Sequence, residues 1–294
     1  MGKLKKIFSI GIISFLAAFS LAHPCLGAVG SGVAPQSVSG VKASPSIGDA
    51  FLDEELVYQI SFWVFDDIAV GRVGLNRAEN GEYIATLAAY TTGMVDRLIT
   101  RRRDTYVSRL KIAEGGKRFI TVSFEKTVEM RGKVKKTLTL IDYDKRLMSW
   151  TGWKDGVEDR KGELKILHGI YPDDPLCAFY NMRFGVYGPI SEGKEFRIPT
   201  FPKEDHVPEI YMRVATKEEK DRRAPDKNPA ADFLADVTID PELFAAGGGI
   251  EILFSSDLVP IEAVAKDVAL FGDVRGKLKK VGLSMGFKKT KTVE

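Results

Sequence analysis

Large apolar side chains recur at every second position through much of residues 51–283, a period that fits half-buried strands and not amphipathic helices. "EELVYQISFWV" alternates Leu56, Tyr58, Ile60, Phe62 and Val64 on one face, with Gln59 and Ser61 on the other. "ITVSFEKTVEM" sets Val122, Phe124, Val128 and Met130 in one row, opposite Thr121, Ser123, Glu125, Thr127 and Glu129. "KKTLTLIDY" does the same with Leu138 and Leu140, and "FLADVTID", "GIEILFSS" and "PIEAVAKDV" read as three further short strands. Turn chemistry separates the runs at Asp66-Asp67, Glu79-Asn80-Gly81, Glu114-Gly115-Gly116, Arg131-Gly132 and Lys154-Asp155-Gly156. Turns at hairpin spacing join neighbours antiparallel and leave no room for crossover helices. The expected fold is all-β and mainly antiparallel. It is one sheet of about ten or more strands, long enough to curl or to close as a barrel-like sheet.

One stretch breaks the period. In "DPLCAFYNMRF", residues 174–184, Asp174 suits an N-cap, Pro175 the first helical turn and Gly185 the C-terminal stop. Leu176, Phe179, Tyr180 and Arg183 share one face, and Cys177, Ala178, Met182 and Phe184 leave little of the rest polar. A helix apolar on most sides is buried. The expectation is a short helix lying across the concave face of the sheet as a plug.

The ends are of different composition. Residues 1–28 have the layout of an export signal: Lys3, Lys5 and Lys6, then an apolar run from Ile7 to Ala22, then Pro24 and small residues. The apolar run is short against the roughly 20 residues that span a bilayer. An uncleaved anchor is the alternative. Pro24 and His23 stand before Cys25 where a lipidated cysteine follows a small residue, so an unacylated chain is expected. Removing the leader takes away three lysines and no acid, leaving 40 basic against 40 acidic residues. That balance withdraws the electrostatic support for a nucleic-acid partner. Residues 29–50 are rich in Gly, Ser, Ala and Pro and read as a flexible tether, 51–283 as a single β-rich domain, and 284–294 as a basic tail. With Cys25 in the leader, Cys177 is left alone and no disulfide framework is expected. "KEEKDRRAPDKNPAAD", residues 217–232, reads as an exposed, mobile loop.

Three segments in order resemble the exported bacterial family catalogued as domain of unknown function 3108. They are Glu55-Leu56 with Tyr58, Ile60 and Phe62 followed by Ala69-Val70-Gly71; Asp174-Pro175-Leu176 with Ala178, Tyr180 and Arg183; and "LFSSDLVPIEA", residues 253–263. Gly272 with Leu278 agrees with the same pattern, whereas Phe254 stands where the family pattern has tryptophan. The resemblance spans about residues 51–281. It implies export and a β-rich fold, and it supplies no catalytic residues.

The remaining chemistry is sparse. Beyond the leader only His168 and His206 remain, without metal-site spacing, so no metal and no cofactor is expected; "EDHVPE" groups Glu204, Asp205, His206 and Glu209 on what reads as a solvated loop. Cys177 lies in the buried helix with no activating base, and adjacent Asp173 and Asp174 point apart. Trp150 and Trp153 sit near a turn, as core residues or as platforms for a sugar or a lipid interface. Arg101-Arg102-Arg103 and the basic stretch from Arg275 read as solvated edges, or as contacts for anionic headgroups or an acidic partner. The chain is therefore read as a periplasmic, non-enzymatic module that binds an amphiphile or an envelope partner. Its expected ligand site lies between helix and sheet and is lined by Tyr58, Ile60, Phe62, Phe179 and Tyr180. Two other classes stay open: an assembly factor that pairs a strand edge with a partner, and a hydrolase of envelope glycans.

Overall fold

The computed structural model describes residues 46–62, 65–93, 96, 101–224, 230–239, 249–268 and 272–283. The leader, most of the tether, the basic tail, Val64, Arg97 and residues 240–248 lie outside them. Strands β1 (Glu54–Phe62), β2 (Phe65–Arg77), β3 (Tyr83–Thr91), β4 (Arg102–Ala113), β5 (Arg118–Met130), β6 (Lys133–Asp142), β7 (Leu147–Lys154) and β8 (Val157–Lys165) form one meander. Strands β9 (Glu195–Pro199), β10 (Glu209–Val214), β11 (Phe233–Thr238), β12 (Ile250–Phe254), β13 (Pro260–Val268) and β14 (Gly272–Leu283) form a second. The first strand pairs with the last, β1 with β14, and welds the two meanders into a single sheet of 14 strands, antiparallel at every neighbour. The sheet does not close. Its two edges are β8 and β9, consecutive in the chain, and the connection between them carries the central helix.

Local chemistry explains most of the turns. Arg131-Gly132 and Asp155-Gly156 each place two residues at positive φ, the backbone that a tight two-residue hairpin needs. The Asp66-Asp67 turn is a correction: Phe62 pairs with Phe65, and both aspartates lie within β2, which starts at Phe65. A second correction concerns the row Val122, Phe124, Val128, Met130. Arg109 pairs with Ser123 and Leu110 with Thr121, which leaves Val122 as the extra residue of a β-bulge. Phe119 and Thr121 face inward before the bulge and Phe124 after it, all three buried. In β6 the inward residues are Thr139 and Ile141, so Leu138 and Leu140 lie on the outer face, Leu140 about half exposed.

Three α-helices and a short 3-10 turn (Glu114–Gly116) join the strands among the described residues. Helix α1 (Ile47–Phe51) starts inside the segment expected to be a tether; Ser46 caps it, and Ile47 and Phe51 are buried. Helix α2 (Pro175–Arg183) is buried along its whole length. Its N-cap is Asp174, and its end is a Schellman turn, in which Gly185 at φ 81° donates to Met182 O and Val186 donates to Asn181 O. Helix α3 (Lys217–Arg223) occupies the first part of the segment expected to be a mobile loop. A reciprocal Thr216–Glu219 capping box opens it, and Arg223 ties it to Asp236 and Glu251.

The core fills the curl of the sheet. Helix α2 packs on β3, β4 and β5, while inward residues of β9 and β10 (Phe196, Ile198, Ile210, Met212) join the same apolar cluster. Phe201, just after β9, sets its ring 5.9 Å from that of Phe124 on β5. Past β5 the sheet continues as a three-stranded wing, β6–β8. Its root is buried through Ile141, Met148 and Ile166, and its tip is exposed, Val157 to 70%.

Candidate functional site

Two polar constellations interrupt the apolar interior. The first lies at the N-terminus of α2. Asp174 Oδ1 accepts from the backbone N–H groups of Leu176 and Cys177 at 2.8 and 3.1 Å, and its Oδ2 accepts from the hydroxyls of Ser108 and Thr121 at 2.5 and 2.7 Å. Burial pushes its pKa up to about 6, against the pull of those donors. Asp173 turns the other way. It takes Arg118 Nη2 at 3.3 Å, Asn181 Nδ2 at 3.0 Å and the Tyr187 hydroxyl, and burial raises its pKa as well. Asn181 also clasps β5 as a strand would, accepting from Phe119 N at 2.8 Å and donating to Phe119 O at 2.9 Å.

Cys177 stands within this cluster, its Sγ 3.5 Å from Asp173 Oδ1 and from Phe119 O. Burial, with Asp173 and Asp174 nearby, drives the thiol pKa well up. A thiol held protonated beside carboxylates is not an activated nucleophile. The cluster acts as a clasp that fixes α2 on β4 and β5.

The raised pKa of Asp174 gives a prediction. In the native chain the carboxyl keeps its proton up to about pH 6, whereas unfolded it releases it near about pH 3.9. Native protein therefore binds more protons in that window, so this group's contribution is complete below about pH 4 and is lost as pH rises through 6. Acidification from pH 7 to 4.5 should favour wild type over Asp174→Asn by on the order of 2 kcal/mol. Asparagine still caps the helix but does not titrate. Denaturant midpoints of both proteins at the two pH values measure the effect; parallel pH profiles would show that Asp174 ionises normally.

The second constellation covers the inner face of the wing. Strand register lines up Tyr106, Lys126, Thr137, Gly152 and Arg160 in one row across β4–β8. The next row toward the tip is Asp104, Val128, Lys135, Lys154 and Val157. Arg160 lies across Gly152 to donate to Thr137 Oγ1 at 3.2 Å, and a Cβ on Gly152 would come within 2.7 Å of its Cγ. Gly162 likewise makes room for the ring of Trp150, which a Cβ there would meet at 2.4 Å. Mid-strand glycines weaken a strand, and here each admits a large side chain lying flat on the sheet. Burial, and then Arg102 and Arg160, pull the Lys126 ammonium pKa down, while Asp104 opposes them. A depression of about 180 Å³ near the β7–β8 bulge is lined from both faces, by Lys135, Thr137, Gly152, Lys154, Asp159 and Arg160 together with Lys136 and Trp153.

The residues singled out in the sequence fall as follows. Tyr58, Ile60, Phe62, Phe179 and Tyr180 all belong to the one apolar core. Phe179 and Tyr180 meet edge to face at 4.7 Å, Tyr58 donates its hydroxyl to Pro260 O at 3.1 Å, and Phe62 stacks on Phe65 at the far end of β1. Trp150 is half-buried on the inner face of the wing; Trp153 is half-buried on the outer face beneath Lys136. Arg101 and Arg103 are exposed as a solvated edge would be, but Arg102 turns inward and grips Asp104 with two hydrogen bonds of 2.7 and 2.9 Å. His206 meets Asp205 on an exposed loop and His168 is exposed. Among the described residues no three His, Cys, Asp or Glu side chains gather as a metal site, and no helix is long and apolar enough to cross a membrane. The sequence reading missed Arg118, Asn181 and Tyr187, which carry no local motif, and the inner-face cations. Gly152 and Gly162 were the available signal for the latter.

No protein-family model matches the chain, and no curated protein does. Among solved structures the chain is similar to a β-barrel-like protein of domain of unknown function 1849 from Brucella abortus. The two share 12% identity over 79% of this chain and 98% of that one, with a TM-score of 0.41. It is also similar to a protein of the domain-of-unknown-function 1089 family from Pseudomonas aeruginosa, at 11% identity over 78% and 95% of the two chains and a TM-score of 0.23.

Proposed function

We propose that the protein is an exported, periplasmic, non-catalytic module that binds an amphiphilic ligand on the concave side of its curled sheet. The observation that carries this reading is the mismatch between helix and sheet. Helix α2, about 14 Å long, packs on β3–β5, whereas β6–β8 run on beyond it. The inner face of the wing, with the adjoining end of β5, presents Trp150 and Val157, and Val128 and Met130, beside lysines and an arginine, a mixed apolar and charged surface suited to an amphiphile. Asp173 and Asp174 are held in the clasp rather than aimed together into a cleft, which weighs against a glycan hydrolase. Membership of the domain-of-unknown-function 3108 family is part of the same proposal, and its three segments fall on β1–β2, α2 and β12–β13.

A fluorescent phospholipid or fatty-acid probe should bind the mature protein at micromolar concentration. Val157→Asp, at an exposed wing-tip residue outside the core, should weaken it severalfold. Native mass spectrometry of protein extracted from its own envelope should show a retained lipid. No probe binding and no retained lipid would turn attention to the second reading, strand-edge pairing. That reading has β8 in its favour, an edge strand paired only with β7 and exposed over most of its length. The charges of Glu158, Asp159, Arg160, Lys161 and Glu163 place it second, because they are of the kind that discourages edge pairing.

A further inference from the structure

We infer that the free edge of β8 is a homodimer interface, on which a second copy of this chain adds its own β8 antiparallel about a two-fold axis through Gly162. The inference does not depend on the amphiphile reading, and it commits the free edge to one occupant. Among the described residues β8 pairs with β7 alone and is exposed along most of its length. The N–H and C=O groups on its far side are therefore open to another strand.

Register selects this partner. A strand that extends a sheet has to match faces, inner residues opposite inner and outer opposite outer. In β8 the inner residues are Arg160, Gly162 and Leu164, which pair with Gly152, Trp150 and Met148 of β7; the outer ones are Lys161, Glu163 and Lys165. The bulge at Asp159 limits regular pairing to the stretch from Arg160 to Lys165. With matched faces, the axis passes through one of these residues. Through Arg160, Lys161 or Lys165 it would set a cation against its own copy, which is unfavourable. Through Glu163 it would oppose two glutamates and, on either side of them, Lys161 and Lys165. Through Leu164 it would pair Gly162 with Ile166, which is buried beyond the end of the strand. Through Gly162 it sets Lys161 opposite Glu163 twice, once on each side of the axis, and lays the stem of Arg160 along Leu164.

The side chains on either side of the axis are available. Among the described residues Glu163 and Lys165 have no ion pair. Lys161 reaches Glu158 on its own strand at 3.2 Å, with the two side chains 74% and 48% exposed, a contact of little worth. Charges on an edge turn most strands away. Here they admit a strand of the same sequence running the other way. Gly162 suits the axis because it carries no side chain and the ring of Trp150 already lies over it, 2.4 Å from where a Cβ would stand. Pairing would bring the Trp150 rings of the two copies toward each other above the two glycines and cover surface that is half-buried in one copy. The opposite edge, β9, is only five residues long and ends at Pro199, which has no N–H to donate. A β8–β8 contact is isologous and closes as a dimer, whereas β8 on β9 would grow as a filament.

Analytical ultracentrifugation of the mature protein over a dilution series in the micromolar range tests this. Wild type should show a monomer–dimer equilibrium, as a contact at the small end of interface sizes does. Lys161→Glu and Glu163→Lys should each weaken the dimer about tenfold or more, because each turns two opposite-charge contacts into two like-charge ones. Mixed in equal amounts, the two variants should dimerise with each other. Lys161→Glu/Glu163→Lys on one chain should regain the self-association of wild type. Both positions are exposed, so the thermal melts of the monomeric variants should match that of the wild-type monomer and show that they are folded. A dimer indifferent to both single changes, a double variant that does not recover, or a filament would each overturn the pairing through Gly162. A wild type that stays monomeric throughout the series would overturn it too, without touching the amphiphile reading.

Discussion

Replacing Arg183 with alanine is expected to destabilise the protein by about 3–5 kcal/mol, as the breaking of one partner of a buried ion pair does. Its side chain is fully buried, and its two terminal nitrogens donate to the two oxygens of Glu54, each at 2.6 Å. The rings of Phe51, Phe179 and Tyr180 surround the guanidinium at 4.3, 4.9 and 5.3 Å. Alanine would leave the Glu54 carboxylate, itself only 14% exposed, without its cation and would empty an aromatic cage. The pair ties the end of α2 to the first residue of β1, so the loss should be felt across the weld of the two meanders. Arg183→Met, which refills the cage, combined with Glu54→Leu should recover most of the loss, because neither member then leaves a lone charge. Urea midpoints at unchanged slope report all three proteins. A midpoint for Arg183→Ala close to wild type would show that the helix is held elsewhere.

How much of this was legible in the sequence depends on the range of the interaction. The strand class, the caps of α2 and the glycine turns are local: Asp174, Pro175 and Gly185 act within a turn of where they stand, and Arg131-Gly132 needs no distant partner. The same logic applied to Thr216 and Glu219 predicts the α3 cap, but the surrounding charge and prolines masked it. Face assignment was not local. Leu138 and Leu140 alternate as a core row would, yet register with β5 and β7 turns Thr139 and Ile141 inward. One extra residue at Val122 reverses the sides of β5, and no period count reveals a bulge. The pairing of β1 with β14 spans the whole domain, and with it the position of the free edges, which decides what a partner can reach. Tyr58, Ile60, Phe62, Phe179 and Tyr180 were singled out by their size and alternation. Those same properties are what place a residue in a packed core, so they could not by themselves separate a ligand wall from the core. The inner-face cations Arg102, Lys126, Lys135, Lys154 and Arg160 come from five strands and meet only through register.

Phe179→Ala should cost about 3–5 kcal/mol, the range for deleting a buried aromatic ring. For a domain of this length that corresponds to a fall in Tm of about 10 °C. Phe179 is 1% exposed, lies edge to face with Tyr180 and forms one wall around Arg183, so its loss removes packing and also loosens the guanidinium that pairs with Glu54. The two changes should therefore couple. Phe179→Ala with Arg183→Ala should cost less than the sum of the single changes, by about 0.5–3 kcal/mol. Phe179→Leu, which keeps much of the volume, should cost distinctly less than alanine. The same variant separates two places for an amphiphile. If the ligand occupies the wing, Phe179→Ala should leave probe affinity unchanged well below its Tm, since the ring lies under α2 and away from β6–β8. If the ligand enters between α2 and the sheet, removing a 1%-exposed ring from that interface should change affinity several-fold in either direction. Calorimetry and probe titration on one preparation would measure both, and a silent effect on stability would mean that α2 is not the plug that fills the curl.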